Sequence, residues 1–138
     1  MKQLKLEDTK INEIAQELDT GFLCFIHKQT LELVTLPDQD NPYFDPTAWD
    51  EPLDIVDKNP GDYVEIERMD GRSSFEVMED FAEEVTDPEI SRKLFRVLSR
   101  KRPFANFKYW VEEFGIREDW FAFKQAALEN WVRKQLYY

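Results

Sequence analysis

The feature that most constrains the fold is the aromatic stretch Phe104 to Tyr138, which holds 11 of the 20 aromatic side chains and three of the four tryptophans. Its apolar residues recur at intervals of three and four, the period of one face of a helix. The residues at this spacing are Phe104, Phe107, Val111, Phe114, Trp120, Phe123, Ala127 and Trp131, with a neighbouring seam of Phe121, Leu128, Val132 and Leu136. The pattern predicts two helices that form part of a buried core, which we favour over a ligand cage.

Two further helices are predicted just upstream. Ser73 followed three residues later by Glu76 has the pattern of a capping box at the start of one helix. Asp87 supplies a cap for the next helix, which ends before Pro103. Gly115 is expected to close the helix that begins at that proline.

The strand signals lie in the first half of the chain. A short amphipathic helix that begins near Asp8 precedes a hairpin of Phe22 to Ile26 and Leu31 to Leu36, joined by a four-residue turn. Tyr63 to Glu67 alternates and is predicted to be the third strand of a small antiparallel sheet.

The segment between the second and third strands is rich in proline and aspartate. Pro37 to Trp49 is predicted to be a surface loop, and a short helix is expected from about Asp50 to Lys58. The spacing of Asp38, Asp40 and Asp45 does not match a calcium loop, so we expect no metal there.

The element order is therefore αββαβαααα. It predicts an α+β fold, in which a three-stranded antiparallel sheet in the N-terminal half packs with a C-terminal set of four helices. A chain of 138 residues favours a single domain over residues 1–138, with a part at 1–68 and a helical part at 70–138 that share one core.

Composition favours a soluble globular protein, with 42% hydrophobic and 34% charged residues. The N-terminus is charged throughout, unlike a signal peptide, and no apolar run approaches the length needed to cross a membrane. The single cysteine, Cys24, lies in an apolar run and cannot form an intramolecular disulfide. We expect a cytoplasmic location.

Charge is divided unevenly along the chain. Residues 1–91 contain 24 acids and 7 bases and residues 92–138 contain 5 acids and 11 bases, within a net charge of -11. The most concentrated basic residues are Arg92, Lys93, Arg96, Arg100, Lys101, Arg102 and Lys108, which we interpret as partner-binding residues. Two structural interpretations stay open: the acidic half faces these residues, or the cations complement a helix dipole.

No residue pattern indicates catalysis. His27 is the only histidine and lies next to a turn, and Cys24 lies on the opposite face of the same predicted strand, so the two do not form a dyad. We expect no catalytic residue, no bound metal and no cofactor, and we favour a protein that is not an enzyme.

A series of apolar and basic residues in the helical half carries a family resemblance. The series is Phe81, Val85, Asp87, Leu94, Leu98, Arg100, Pro103, Phe104, Phe107, Lys108, Trp120, Phe121, Phe123 and Trp131. In this order the chain resembles uncharacterised protein family 0158 of bacteria, although Ser99 stands where the family has glycine and Val132 where it has leucine. The resemblance implies a bacterial cytoplasmic protein with an α+β fold, and it implies no activity and no catalytic residue.

Three functions follow from these observations. We favour a small non-enzymatic protein-interaction or regulatory module. RNA or DNA binding through Arg92 to Lys108 is the first alternative, because basic residues there alternate with aromatic ones, although the pI of about 4.6 is unlike that of most nucleic-acid binders. An enzyme with a carboxylate-based site not visible in the sequence is the second.

Overall fold

The structure is a computed structural model that describes residues 5–37 and 55–137. Its main elements are α1 (Asp8–Asp19), β1 (Phe22–His27), β2 (Leu33–Pro37), β3 (Tyr63–Ile66), α2 (Gly71–Glu84), α3 (Pro88–Leu98), α4 (Pro103–Glu113) and α5 (Arg117–Tyr137). Residues 55–58 are also helical, and a 3-10 turn at Pro60–Asp62 leads into β3. The α+β class is confirmed, whereas the predicted loop beyond Pro37 and the start of the helix predicted from Asp50 lie outside the described residues.

The sheet has three antiparallel strands, as expected, and their order is β2-β1-β3. In the register, Cys24 on the central strand lies opposite Thr35 of β2 and Ile66 of β3. Cys24 and Ile26 are both buried, because side chains two residues apart on a strand point to the same face. One face of β1 therefore contributes to the core.

The hairpin turn differs from the prediction. β1 continues to His27 and β2 begins only at Leu33, so residues 28–32 form a five-residue connection. The His27 Nδ1 atom accepts hydrogen bonds from the backbone N–H groups of Gln29 and Thr30, each at 3.1 Å. Leu31 has a left-handed backbone with φ of 63°, and its N–H donates to the His27 carbonyl. Leu31 thus closes the turn instead of beginning the strand.

The chain divides into two compact units. The sheet unit comprises Met1–Arg68 and Leu128–Tyr138, and the helical unit comprises Met69–Ala127. Helix α5 contributes residues to both units. The expectation of a single domain with one shared core stays a prediction.

The sheet unit has an aliphatic core. Its buried side chains are Ile11, Ile14, Ala15, Leu18, Cys24, Ile26, Leu36, Ile66, Leu128, Val132 and Leu136. The end of β3 is fixed to α5 through Glu67: Gln135 accepts from the Glu67 N–H at 2.8 Å, while Gln135 and Trp131 donate to the Glu67 carbonyl at 3.0 and 2.7 Å. These bonds satisfy backbone groups that have no strand partner.

The helical unit has an aromatic core. The rings of Phe81, Phe107 and Trp120 lie mutually in contact, with centroid separations from 4.9 to 6.3 Å. Phe107 is fully buried, as its position in the predicted seam requires. The assignment of Phe104 and Phe121 to the core is wrong, because their side chains are 42% and 45% exposed.

The helix ends are set by local hydrogen bonds. Helix α2 is capped by Asp70, whose carboxylate accepts from the Ser73 N–H, so the predicted capping box is wrong. The same bond lowers the pKa of the Asp70 carboxyl group. The predicted cap at Asp87 is confirmed by its bond to the Glu89 N–H. Gly115, with φ of 70°, ends α4 as predicted, because its left-handed backbone suits glycine.

Candidate partner-binding surface

The basic residues of α3 lie on its exposed side. Leu94 and Val97 are buried on the inner face of the helix, and Arg92 and Arg96, one turn apart, are exposed on the outer face. The Arg92 Nε atom donates to the carbonyl of Pro88 at 3.2 Å, which holds this side chain along the helix. The amphipathic pattern that buries α3 therefore also presents its two arginines to solvent.

The turn between α3 and α4 presents three more cations. Arg100, Lys101 and Arg102 follow one another and all three are exposed. The Asn106 side chain donates to the Lys101 carbonyl at 3.0 Å, which fixes the turn. Arg102 adopts a left-handed backbone, with φ and ψ both 53°, directly before Pro103. This conformation is costly for a residue with a Cβ atom, so the turn carries strain at a basic residue.

These five residues form what we call the basic surface: Arg92, Arg96, Arg100, Lys101 and Arg102. Their side chains form no ion pair with any acid in the part of the chain that the structure describes. Other arginines do form such pairs: Arg72 with Glu76 and Arg117 with Glu112. The sequence contains no acid between residues 92 and 108, so the run that holds these cations has no negative charge of its own.

The other two candidate residues lie elsewhere. Lys93 is partly buried, and its Nζ atom lies 4.4 Å from the centroid of the Trp110 ring, a cation–π contact between α3 and α4. Lys108 is exposed on α4 and lines a groove between α4 and α5. The seven residues selected from the sequence therefore divide into a surface of five, one cation that packs on an aromatic ring, and one groove residue.

Exposed aromatic side chains accompany the cations. Among the described residues of the helical unit, the large hydrophobic side chains most exposed are Phe95, Phe104, Tyr109 and Phe121, at 40%, 42%, 56% and 45%. Phe95 lies on α3, within the basic surface in sequence, and Phe104 follows its last residue by two positions. Aromatic rings of this exposure beside cations are typical of binding surfaces.

The groove between α4 and α5, which we call the cationic groove, has a volume of about 550 Å³. It is lined by Ala105, Lys108, Tyr109, Val111, Glu112, Arg117, Trp120, Phe121 and Lys124. Sequence reasoning missed Arg117 and Lys124, although they flank Phe121 at positions i, i+4 and i+7 of one helix face. The search for helical spacing in the sequence covered apolar residues and therefore passed over these two cations.

A second groove of the helical unit, about 530 Å³, has an acidic rim. Glu84, Asp87 and Asp119 contribute to its lining, together with apolar residues such as Phe123. The Asp87 carboxylate caps α3 through the N–H groups of residues 89 and 90. Thr86 also lines the groove, but among the described residues its hydroxyl has no hydrogen bond to a carboxylate that could act as a base, so we assign no reaction to this groove.

His27 and Cys24, the two residues considered for catalysis, are held by contacts that stabilise the fold. The His27 ring packs edge-on against Tyr63, at 5.1 Å between centroids, and its Nδ1 atom serves the hairpin turn. Burial raises the pKa of the Cys24 thiol to about 12, and the charges of Glu17 and Glu13 add to this effect.

Within residues 5–37 and 55–137, no three His, Cys, Asp or Glu side chains are grouped to hold a metal ion. None of the helices in those ranges has the length and apolar character to cross a membrane.

Comparison with known proteins identifies the family. The family model described as "Uncharacterised protein family (UPF0158)" matches residues 10–137. The chain belongs to this family. A Pseudomonas aeruginosa protein of UPF0158 is 28% identical over 87 residues, which cover 62% of this chain and 57% of that protein. The match thus spans a little over half the length of that relative, and no solved structure matches the chain significantly.

Membership of UPF0158 confirms the resemblance carried by the helical half of the sequence. The family is uncharacterised, so membership assigns neither an activity nor a binding partner. The functional argument therefore rests on the geometry of the basic surface and of the cationic groove.

Proposed function

We propose that this member of UPF0158 is a protein-interaction module whose helical unit docks an acidic segment of a partner protein on the basic surface. The observation that carries the proposal is the run from residue 92 to residue 108, which contains seven bases and no acid. The five of them that form the basic surface are exposed and pair with no described acid. A partner that brings carboxylates to them would form charge-assisted hydrogen bonds, for which the planar fork of arginine is well suited.

Phe95 and Phe104 supply the apolar part of the proposed contact. Each is about two-fifths exposed, and each is close in sequence to two arginines of the basic surface. Partly exposed aromatic rings beside arginine are the residue types enriched at the centres of protein interfaces. The expected partner segment therefore carries apolar side chains between its acidic ones.

An acidic protein segment fits this surface better than a single-stranded nucleic acid. Binding of single strands relies on aromatic faces that bases can stack on. Here Lys93 lies over the Trp110 ring, and the Phe121 ring has Arg117 at 4.9 Å and Lys124 at 5.4 Å from its centroid. The chain's own cations thus lie over two of the aromatic rings on which bases could stack. The net charge of -11 also repels a long polyanion more strongly than a short acidic segment, because the repulsion grows with the number of negative charges on the ligand.

The test is a binding titration with a fluorescein-labelled peptide in which Glu alternates with Leu and Phe, followed by fluorescence anisotropy. We expect saturable binding that weakens as salt is added. The double variant Arg96→Glu plus Arg100→Glu should raise the Kd by about tenfold or more, since each reversal replaces an attraction with a repulsion of similar size.

The matched control is Arg72→Glu. This arginine is also exposed and lies in the helical unit, but it is on α2 and pairs with Glu76. The control should bind the peptide as the unaltered protein does. Equal loss in the control and in the double variant would show a nonspecific charge effect and would contradict the proposal. Tighter binding of single-stranded oligothymidine than of the peptide would favour the nucleic-acid alternative.

A further inference from the structure

The cationic groove gathers three basic side chains from two helices. Lys108 comes from α4, and Arg117 and Lys124 come from α5, about two turns apart. Gly115 permits this arrangement, because its left-handed backbone reverses the chain between the two helices. The one acid in the lining, Glu112, lies 3.5 Å from Arg117. Basic residues therefore outnumber acids in the groove by three to one.

Trp120, one of the residues that line the groove, has an unpaired donor. Trp120 is 4% exposed, and its Nε1 atom is buried with no hydrogen-bond acceptor in the part of the chain that the structure describes. Trp131, the other tryptophan of α5, does have an acceptor, the Glu67 carbonyl. Buried N–H groups in proteins nearly always have a hydrogen-bond acceptor, so we expect the Trp120 indole to have one that is not among the described residues.

We infer that the cationic groove binds a soluble phosphate monoester with an apolar body. Lys108 and Arg117 would balance its charge, and a small shift of the Trp120 ring would let its buried N–H donate to a phosphate oxygen. A phosphate monoester carries up to two negative charges and three acceptor oxygens, which suits a groove with three cations better than a carboxylate does. This site is separate from the basic surface, since it lies on the α4 and α5 side of the helical unit and includes none of its five residues.

The size and lining of the groove agree with a small organic ligand. A volume of about 550 Å³ lies within the range of roughly 300–1,000 Å³ that is typical of ligand pockets. Val111, Tyr109 and Phe121 provide apolar lining beside the cations. The proposed ligand therefore has a small apolar or aromatic body, and phenyl phosphate is a suitable probe.

The test follows the indole N–H signals of isotope-labelled protein by heteronuclear NMR as phenyl phosphate is added. The Trp120 signal is assigned as the one missing from a Trp120→Phe variant. We expect this signal to move saturably, and more than those of the other tryptophans. Inorganic phosphate should bind more weakly, because it lacks the apolar body. Concentrations up to about 10 mM suffice, since a weak small-molecule site has a Kd of roughly 1 mM.

Variants of Lys108 complete the test, because it is exposed and its change should not disturb the core. Lys108→Glu should raise the Kd for phenyl phosphate by about tenfold, since it reverses one charge at a few ångströms from the anion. Lys108→Arg should retain binding, and so should Arg72→Glu. The inference is overturned if no signal saturates, if Lys108→Glu binds as well as the unaltered protein, or if inorganic phosphate binds as tightly as phenyl phosphate.

Discussion

Replacing Arg102 with glycine should change stability and binding in opposite directions. Arg102 has φ of 53° in the turn before α4, where a left-handed backbone costs an L residue about 1–2 kcal/mol. Glycine avoids that cost, but its greater conformational freedom in the unfolded chain lowers the stability of the folded state by about 0.5–1 kcal/mol. The free energy of unfolding of the helical unit should therefore rise by about 0.75 kcal/mol, the difference between the midpoints of those two ranges.

The same variant should bind the acidic peptide less tightly. It removes one exposed cation of the basic surface, and exposed ion pairs contribute about 0.2–1 kcal/mol. Stability is measured by urea unfolding followed by far-UV circular dichroism, and binding is measured by fluorescence anisotropy. A basic residue kept at a strained position would thus serve binding at the expense of stability.

Lys101→Gly is the matched control. It removes a neighbouring cation at a position that does not have a positive φ. The control should lose peptide affinity to a similar extent but should also be less stable, since glycine there relieves no strain. If both glycine variants changed the unfolding free energy in the same direction, the assignment of strain to Arg102 would be refuted. Unchanged peptide affinity in both would refute their role in the basic surface.

Three further predictions concern the two cores and the hydrogen bonds that join the end of β3 to α5. Phe107→Ala should lower the unfolding free energy by about 3–5 kcal/mol in urea titration, because the ring is fully buried against other aromatic rings; a loss below about 1 kcal/mol would contradict that packing. Cys24 should resist alkylation in the native state at neutral pH and react after unfolding. Its folded pKa of about 12 exceeds the usual 9.0, so native stability should fall as the pH rises from 9.0 toward 12, and rapid native alkylation would contradict its burial. Gln135→Leu should lower the unfolding free energy by about 0.5–1.5 kcal/mol in urea titration, since it removes the hydrogen bond to the Glu67 N–H at the exposed end of β3; Trp131→Phe should cost less, because the Glu67 carbonyl keeps its bond from Gln135.

The elements that the sequence predicted well are those whose boundaries depend on local chemistry. In the sequence, Asp87 ahead of a proline predicts the start of a helix and Gly115 predicts the end of one. In the structure Asp87 caps α3, and Gly115 has a positive φ just after α4. The hairpin turn was harder to predict, because the His27 ring accepts two backbone N–H bonds and shifts the start of β2 to Leu33. A side chain that replaces a backbone partner leaves no signal in a hydrophobic pattern.

Burial could be predicted only in part, because helical spacing shows which residues share a face but not which of them a neighbour covers. Phe107 and Trp120 are buried, whereas Phe104 and Phe121 share the same spacing and are exposed. The basic surface was visible as a run of residues, since it comes from one helix and the turn after it. The cationic groove was not visible, because the packing of α4 against α5 brings Arg117 to Lys108.

The measurement that tests the central claim most directly is a map of backbone amide shifts in heteronuclear NMR spectra as the acidic peptide is added. We expect saturable shifts at Arg96, at Arg100 to Arg102 and at Phe104, with much smaller shifts on the sheet. A peptide with every Glu replaced by Lys should cause none. Shifts confined to other parts of the chain, or equal shifts with the basic peptide, would contradict the proposal that the basic surface docks an acidic partner segment.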